Sequence, residues 1–360
     1  MNAPSKSPRS VSRRDFLKTG AAATSAALLT GAPFVRGEDK AGTGPIILGE
    51  GEYKYECIHG WGELPSQIKW GNTHDVTIDE SGLIYIKHQT LAAGPMDSIV
   101  VFDPNGKYVR SFGDEYSGGG HGMDLRKEGN QEFLYLCSTK QQLVTKTTLK
   151  GEIVWATGTP WESGVYDEKK KFVPTNVAFH PIDGGFYIAD GYGSSYVHQY
   201  DKKGKWIRTI GGAGKEHGQF QTPHGLWVDT RPGKDPTLLI CDRANARLEY
   251  YSLDEKYLST VGDVSFPANL DIRGDVLLCP DLHARVTLFD KDNKVITHLG
   301  YDPEWTKAVL ADGMKLRNQP ERYQPGKFVH PHDACFDKDG NIFVVEWVPT
   351  GRVTKLKRLA

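Results

Sequence analysis

A recurring segment constrains this chain more than anything else in it. The stretch Phe102–Gly113 runs through an Asp-Pro-Asn-Gly turn into a β-type run and ends on glycine. Lys150–Gly158 and Lys203–Gly211 repeat it, and Asp254–Gly262 and Asp292–Gly300 are weaker copies. Each copy closes a module, and each module opens at a strand head: His74, His121, Asn176, His224, Asn269 and His332. Successive heads lie 47, 55, 48, 45 and 63 residues apart, near the ~40–50 residues of a four-stranded propeller blade with its loops. The fourth module is the best defined, with β-type runs at Pro223–Asp229, Leu238–Arg243, Arg247–Tyr251 and Tyr257–Val261 between turn signals. The prediction is an all-β chain, a six-bladed β-propeller; an open β-sandwich array is the competing architecture.

The last module has room for about three strands between Phe328 and Leu359, one short of a full blade. Tyr53–Gly62 reads as an orphan outer strand of the same kind. Pairing it with the C-terminal strands would close the ring and remove an exposed sheet edge. The expected division is a signal peptide over 1–37, a linker over 38–52 and the propeller over 53–360.

The signal is read from Arg13-Arg14 followed by an Ala-rich apolar run from Thr19 to Ala32. Paired arginines before a weakly hydrophobic segment resemble a twin-arginine signal. This predicts export to the periplasm or beyond, with no stable membrane span once the signal is cut between Ala32 and Glu38. A net charge of -1 without a Lys/Arg block argues against nucleic acid as a partner. A small molecule or peptide is the expected partner, and the chain is expected to be a monomer. Of the five cysteines, Cys137, Cys241, Cys279 and Cys335 lie in apolar runs and none makes a CxxC pair, so buried free thiols are expected. No haem-attachment motif and no phosphate-binding glycine loop is present.

Innermost strands of a propeller line its channel, so equivalent heads converge on the axis. His121, His224 and His332 head the second, fourth and sixth modules, which sets them ~120° apart around a six-bladed ring. Three converging imidazoles suit a tetrahedral zinc with one position open.

The repeats resemble NHL repeats. The heads Gly120-His121-Gly122, Pro223-His224-Gly225 and Pro331-His332-Asp333 resemble those of peptidyl-α-hydroxyglycine α-amidating lyase, which holds a catalytic zinc with three histidines. The resemblance runs over most of the chain after the signal, with close matches at blade heads and a few strand ends. It implies that Tyr192, in Asp190-Gly191-Tyr192, is a general base beside the metal. It also implies that Arg243, in Asp242-Arg243, grips a substrate carboxylate, with a salt bridge to Asp242 or a neighbouring blade as the structural alternative; Asp190 is read as pinning its turn. A structural calcium held by the carbonyls of Val76 and Met123 and by Asp333 is implied as well. There are departures. Where the family has His-Arg-Gly, this chain reads His88-Gln89-Thr90 after Lys87, and Gly193 replaces the family's cysteine. Lys87 is left as a candidate charge and His88 as a candidate ligand or acid/base. His74 is an extra blade-head histidine without a family counterpart. Asn176 and Asn269 are expected to satisfy channel-facing backbone or water.

Three functions fit these residues. One is a zinc-dependent lyase splitting a hemiaminal-like or α-hydroxy substrate. The second is a non-catalytic propeller binding a protein or glycan. The third is a metal-dependent hydrolase such as a lactonase.

Overall fold

A computed structural model describes residues 44–359; the signal peptide read over 1–37 lies outside the described residues. Six antiparallel sheets follow one another along the chain. Blade one runs from Asn72–Ile78 through Ile84–Gln89 and Ile99–Phe102 to Tyr108–Phe112, and blades two to five repeat that meander from Gly120, Asn176, Pro223 and Asp271. The turn into the outermost strand is built the same way in several blades. Asp103 accepts from the backbone N–H groups of Asn105 and Lys107, Asp201 from those of Lys203 and Lys205, and Asp290 from those of Asp292 and Lys294. A short carboxylate that captures nearby backbone donors reverses the chain there, which is why the turns read Asp-x-x-Gly-Lys at Asp103 and Asp201 and Asp-x-x-Asn-Lys at Asp290.

Blade six is completed from the other end of the chain. Pro331–Phe336, Ile342–Glu346 and Arg352–Arg358 are joined by Tyr55–His59, with Tyr55 opposite Arg358 and His59 opposite Thr354. The predicted closure is what forms. Ile47–Leu48, inside the stretch read as linker, adds a fifth strand by pairing with Glu56 and Tyr55.

The core is divided among the blade interfaces. Clusters of buried side chains join blades one and two, two and three, three and four, four and five, five and six, and six and one. Each middle strand is therefore covered on both faces, and runs such as Phe186–Ala189 are buried throughout. The cysteines are free, four of them buried and Cys335 half-buried.

One element departs from the all-β expectation. The long interval between Asn269 and His332 holds a helix that starts at Pro303, α1 (Pro303–Met314), followed by short 3-10 turns at Lys315–Asn318 and Pro320–Arg322. Asp302 caps α1 by accepting from the Trp305 N–H, and Trp305, Val309 and Leu316 pack on Ala284, Val329 and Val348. The helical dihedrals break at Ala311–Gly313. This insertion carries Arg317 over to blade one, where its Nη2 donates to Asn72 Oδ1 at 2.7 Å. No helix among the described residues is long and apolar enough to cross a membrane.

Candidate metal centre

The innermost strands of four blades are irregular at one place each. The pairing register shifts between Thr73 and Asp75, between Gly120 and Met123, between Pro223 and Leu226, and between Pro331 and Asp333. The displaced residues include His74, His121, His224 and His332. Bulges of this kind re-aim a side chain at a strand end, and here they turn all four imidazoles into the channel. By contrast, Asn176 pairs in regular register with Ala189, and Asn269 precedes its strand.

The four rings pack against one another. Centroids of His74 and His121 are 4.9 Å apart, His74 and His332 4.5 Å, and His121 and His332 4.9 Å. His224 lies 4.8 Å from His121 and 4.7 Å from His332. The ligand atoms of His74, His121 and His332 lie within 4.8 Å of one another. The expected triad does converge, but the channel adds a fourth histidine. His74 heads blade one, between blades six and two, so it enters between two members of the alternate-blade set.

Each ring is held by its Nδ1. His121 bonds to Thr175 O at 2.8 Å, His224 to Ala268 O at 2.6 Å, His332 to His74 O at 2.7 Å and His74 to Asn72 O at 3.0 Å. A carbonyl can only accept, so each Nδ1 carries the proton and each Nε2 presents a lone pair. Blade packing explains why glycine follows two of these histidines. A Cβ on Gly122 would sit 2.1 Å from Thr175 O, and one on Gly225 2.6 Å from Ala268 O, the carbonyls that orient His121 and His224.

Lone pairs crowd one another as a result. His121 Nε2 and His224 Nε2 are 3.2 Å apart, and neither has a proton to offer the other. His332 Nε2 is buried without a partner. Protonation would relieve the crowding, but burial holds His121, His224 and His332 well below the ordinary imidazole range and takes His74 to about 3. Buried neutral imidazoles facing one another, each oriented by a backbone carbonyl, are donors compatible with a metal ion. The residues fit such an ion.

Tyr192 and Arg243 complete the site. Tyr192, from the end of the second strand of blade three, brings its Oη to 3.2 Å from His121 Nε2 and 3.1 Å from His224 Nε2. Its ring is 42% exposed, so the group faces both the cluster and the outside. Arg243 Nη1 donates to the same Oη at 3.2 Å. That guanidinium is buried between the rings of Tyr192 and Phe266, its Nε unsatisfied. The neighbouring carboxylate, Asp242, is committed to Arg247 at 2.7 Å, and Arg243 makes no ion pair among the described residues. Asp190 accepts from the backbone of Val173 and Ser194 and from Tyr166, the turn-pinning role expected of it.

Lys87 and His88 are not where a substrate would be met. Lys87 is buried between blades one and two, donating to Gly122 O and Cys137 O, and burial lowers it to about 8. It steadies the peptide after His121. His88 accepts from the Gly71 N–H at Nδ1 and bonds Asp97 O through Nε2, which leaves no atom for a ligand or a proton. Both lie on the second strand of blade one, opposite the bulge rather than on the bulged strand, and so stay out of the channel.

Below the histidines, the same strands line a cavity of about 200 Å³ that includes Val76, Met123 and Asp333, the residues implied for calcium. Asp75, Asp124 and Asp271 line it too, and none of these was singled out from the sequence. Burial raises all four carboxylates, Asp271 to about 7. Asp333 accepts from the Val76 N–H and from Asn269 Nδ2, each at 2.8 Å. The signal for Asp75 was present: His74-Asp75 repeats His332-Asp333.

Fold and site together define a six-bladed β-propeller with a histidine-lined channel, and relatives of known kind share parts of it. Residues 10–30 match the family described as TAT (twin-arginine translocation) pathway signal sequence, so the chain is marked for twin-arginine export. It is 30% identical over 172 residues to peptidyl-glycine alpha-amidating monooxygenase B of Xenopus laevis, covering 46% of this chain and 19% of that protein. The chain thus spans less than a fifth of that relative. It is 24% identical over 325 residues to peptidyl-alpha-hydroxyglycine alpha-amidating lyase 1 of Drosophila melanogaster, covering 79% of this chain and 57% of that one. Among solved structures it is similar in fold to a streptogramin B lyase, with a TM-score of 0.53 at 12% identity over 84% of this chain and 97% of that one.

Proposed function

We propose that this protein is an exported metal-dependent lyase that cleaves the C–N bond of an α-hydroxy amide bearing a carboxylate, the linkage of a peptidyl-α-hydroxyglycine. The observation that carries this reading is the contact chain Arg243–Tyr192–His121/His224. It sets a general base and an unpaired cation against the imidazoles in one partly exposed place.

His121, His224 and His332 would hold the metal, taken as zinc, which supplies Lewis-acid polarisation of a substrate oxygen when bound. The chain's own residues would do the rest. Arg243 receives the substrate carboxylate, replacing the anion it lacks in the protein. Tyr192 Oη removes the proton of the α-hydroxyl, the oxygen lone pair forms a C=O bond, and the C–N bond breaks. The departing amide nitrogen takes up a proton, giving a primary amide and an α-oxo acid. Gln89, which stands where the related lyases have an arginine, bonds Asn72 and Gly118 O; the carboxylate grip then falls to Arg243. Calcium in the acidic cavity would be structural, through Asp333 and the backbone of Val76 and Met123.

The test is hydrolysis-free release of amide and glyoxylate from a peptidyl-α-hydroxyglycine by the exported protein. Tyr192→Phe should keep fold and metal and lose at least ~10²-fold of the rate. Undiminished turnover in Tyr192→Phe would end this mechanism.

A further inference from the structure

The proposed function rests on three imidazoles, and the channel contains four. We propose that His74 is a fourth ligand of one divalent ion. This deepens the metal reading above and depends on it.

His74 shares the main features of the other three, although the carbonyl that holds it belongs to its own strand rather than to the next blade. It sits at a bulge, its ring is buried, its Nδ1 is committed to a carbonyl, and it packs edge-on against His332. Its support is also built. Asn72, whose carbonyl orients it, is clamped through Nδ2 to Gln89 and through Oδ1 to Arg317 of the insertion after α1. The His74 carbonyl in turn orients His332. A histidine filling space in a channel would need none of these.

The spacing fits one ion. With metal–nitrogen bonds of ~2.1 Å, ring centroids lie ~3.2 Å from the ion, so pairs at right angles would be ~4.5 Å apart and tetrahedral pairs ~5.2 Å. The five measured separations run from 4.5 to 4.9 Å, within that range. The ligand atom of His74 groups with those of His121 and His332, and Tyr192 Oη borders the nitrogens of His121 and His224.

The experiment uses the full exported chain stripped of metal and titrated with cobalt(II), read by visible absorption and by X-ray absorption. One cobalt per chain and four imidazoles are expected. His74→Ala and His224→Ala should each weaken cobalt binding by at least ~10²-fold, on the scale of losing more than an orienting partner. Cobalt bound through three imidazoles, with His74→Ala binding as wild type, overturns the fourth ligand and leaves the proposed function intact. No cobalt binding by the wild-type chain overturns both. The imidazole count needs no variant, so it decides the matter even if His74→Ala fails to fold.

Discussion

His121 Nε2 and His224 Nε2 approach to 3.2 Å with no proton between them, because each ring's Nδ1 is bonded to the backbone of the following blade. The protein thus holds a repulsive contact in place with its own sheet framework. An ion between these nitrogens would turn the repulsion into ligation, which would couple metal binding to folding.

Removing metal should therefore destabilise the chain. A ligand at ~1,000 times its dissociation constant adds ~4 kcal/mol to the folded state. Thermal unfolding with and without a chelator should show a Tm lower by several degrees in the stripped protein, restored on adding the ion back. His121→Ala should abolish the difference, since His121 touches every other ring of the cluster.

Gly225→Ala tests the link between blade packing and the site. A Cβ there meets Ala268 O and Asn269 Cα, each at 2.6 Å. The expected cost is ~1–3 kcal/mol of stability, as for overpacking. Metal affinity should fall by ~10-fold because the displaced carbonyl is the one that orients His224. Denaturant midpoints and metal titration read the two effects separately.

Arg243→Lys should separate binding from chemistry. Lysine keeps the charge but not the planar fork. The KM for carboxylate-bearing substrates should rise by ~10-fold or more, while a substrate with the carboxylate esterified should lose its disadvantage relative to the acid. Equal losses on both substrates would show that Arg243 acts through Tyr192 alone.

Closure of the ring predicts a large effect far from the site. Tyr55 is buried at 2% exposure in the core between blades five and six. Tyr55→Ala should cost roughly 3–5 kcal/mol, as for other large buried aromatics, seen as a lower denaturant midpoint with metal stoichiometry unchanged.

Acid sensitivity should come partly from His198. Burial lowers its pKa to about 3, with Tyr166 on Nε2 and Thr209 on Nδ1. Because the folded value is depressed, the stability tied to the neutral ring is present above ~6.5 and is lost as pH falls toward 3. The amount lost between those limits is on the order of 5 kcal/mol. Asp190, reached through Tyr166 and raised by burial to about 6, works in the opposite sense between its unfolded value and pH 6. His198→Asn should flatten the decline of Tm between pH 6.5 and 4.

Repeat spacing, the Asp-x-x-Gly-Lys turns and the orphan strand at Tyr55 made the six blades and their closure legible in the sequence, since local turn chemistry and strand patterning fix a meander without reference to distant residues. Blade heads were legible for the same reason, and His121, His224 and His332 could be placed on one axis by counting. The choice between ligand and bystander was not. His74 and His88 look alike in the sequence, yet a register shift at Thr73/Asp75 turns one into the channel, while the regular pairing of Thr73 with His88 leaves the other bonded to Gly71 and Asp97. Lys87 reads as a charge for substrate and is spent on two carbonyls of the next blade. Asp75, Asp124 and Asp271 become one acidic cavity only when three blades meet. Local chemistry set what each strand could do, but bulges and blade-to-blade contacts, such as the one that joins His74 and His332 across 258 positions, decided which side chains share the channel.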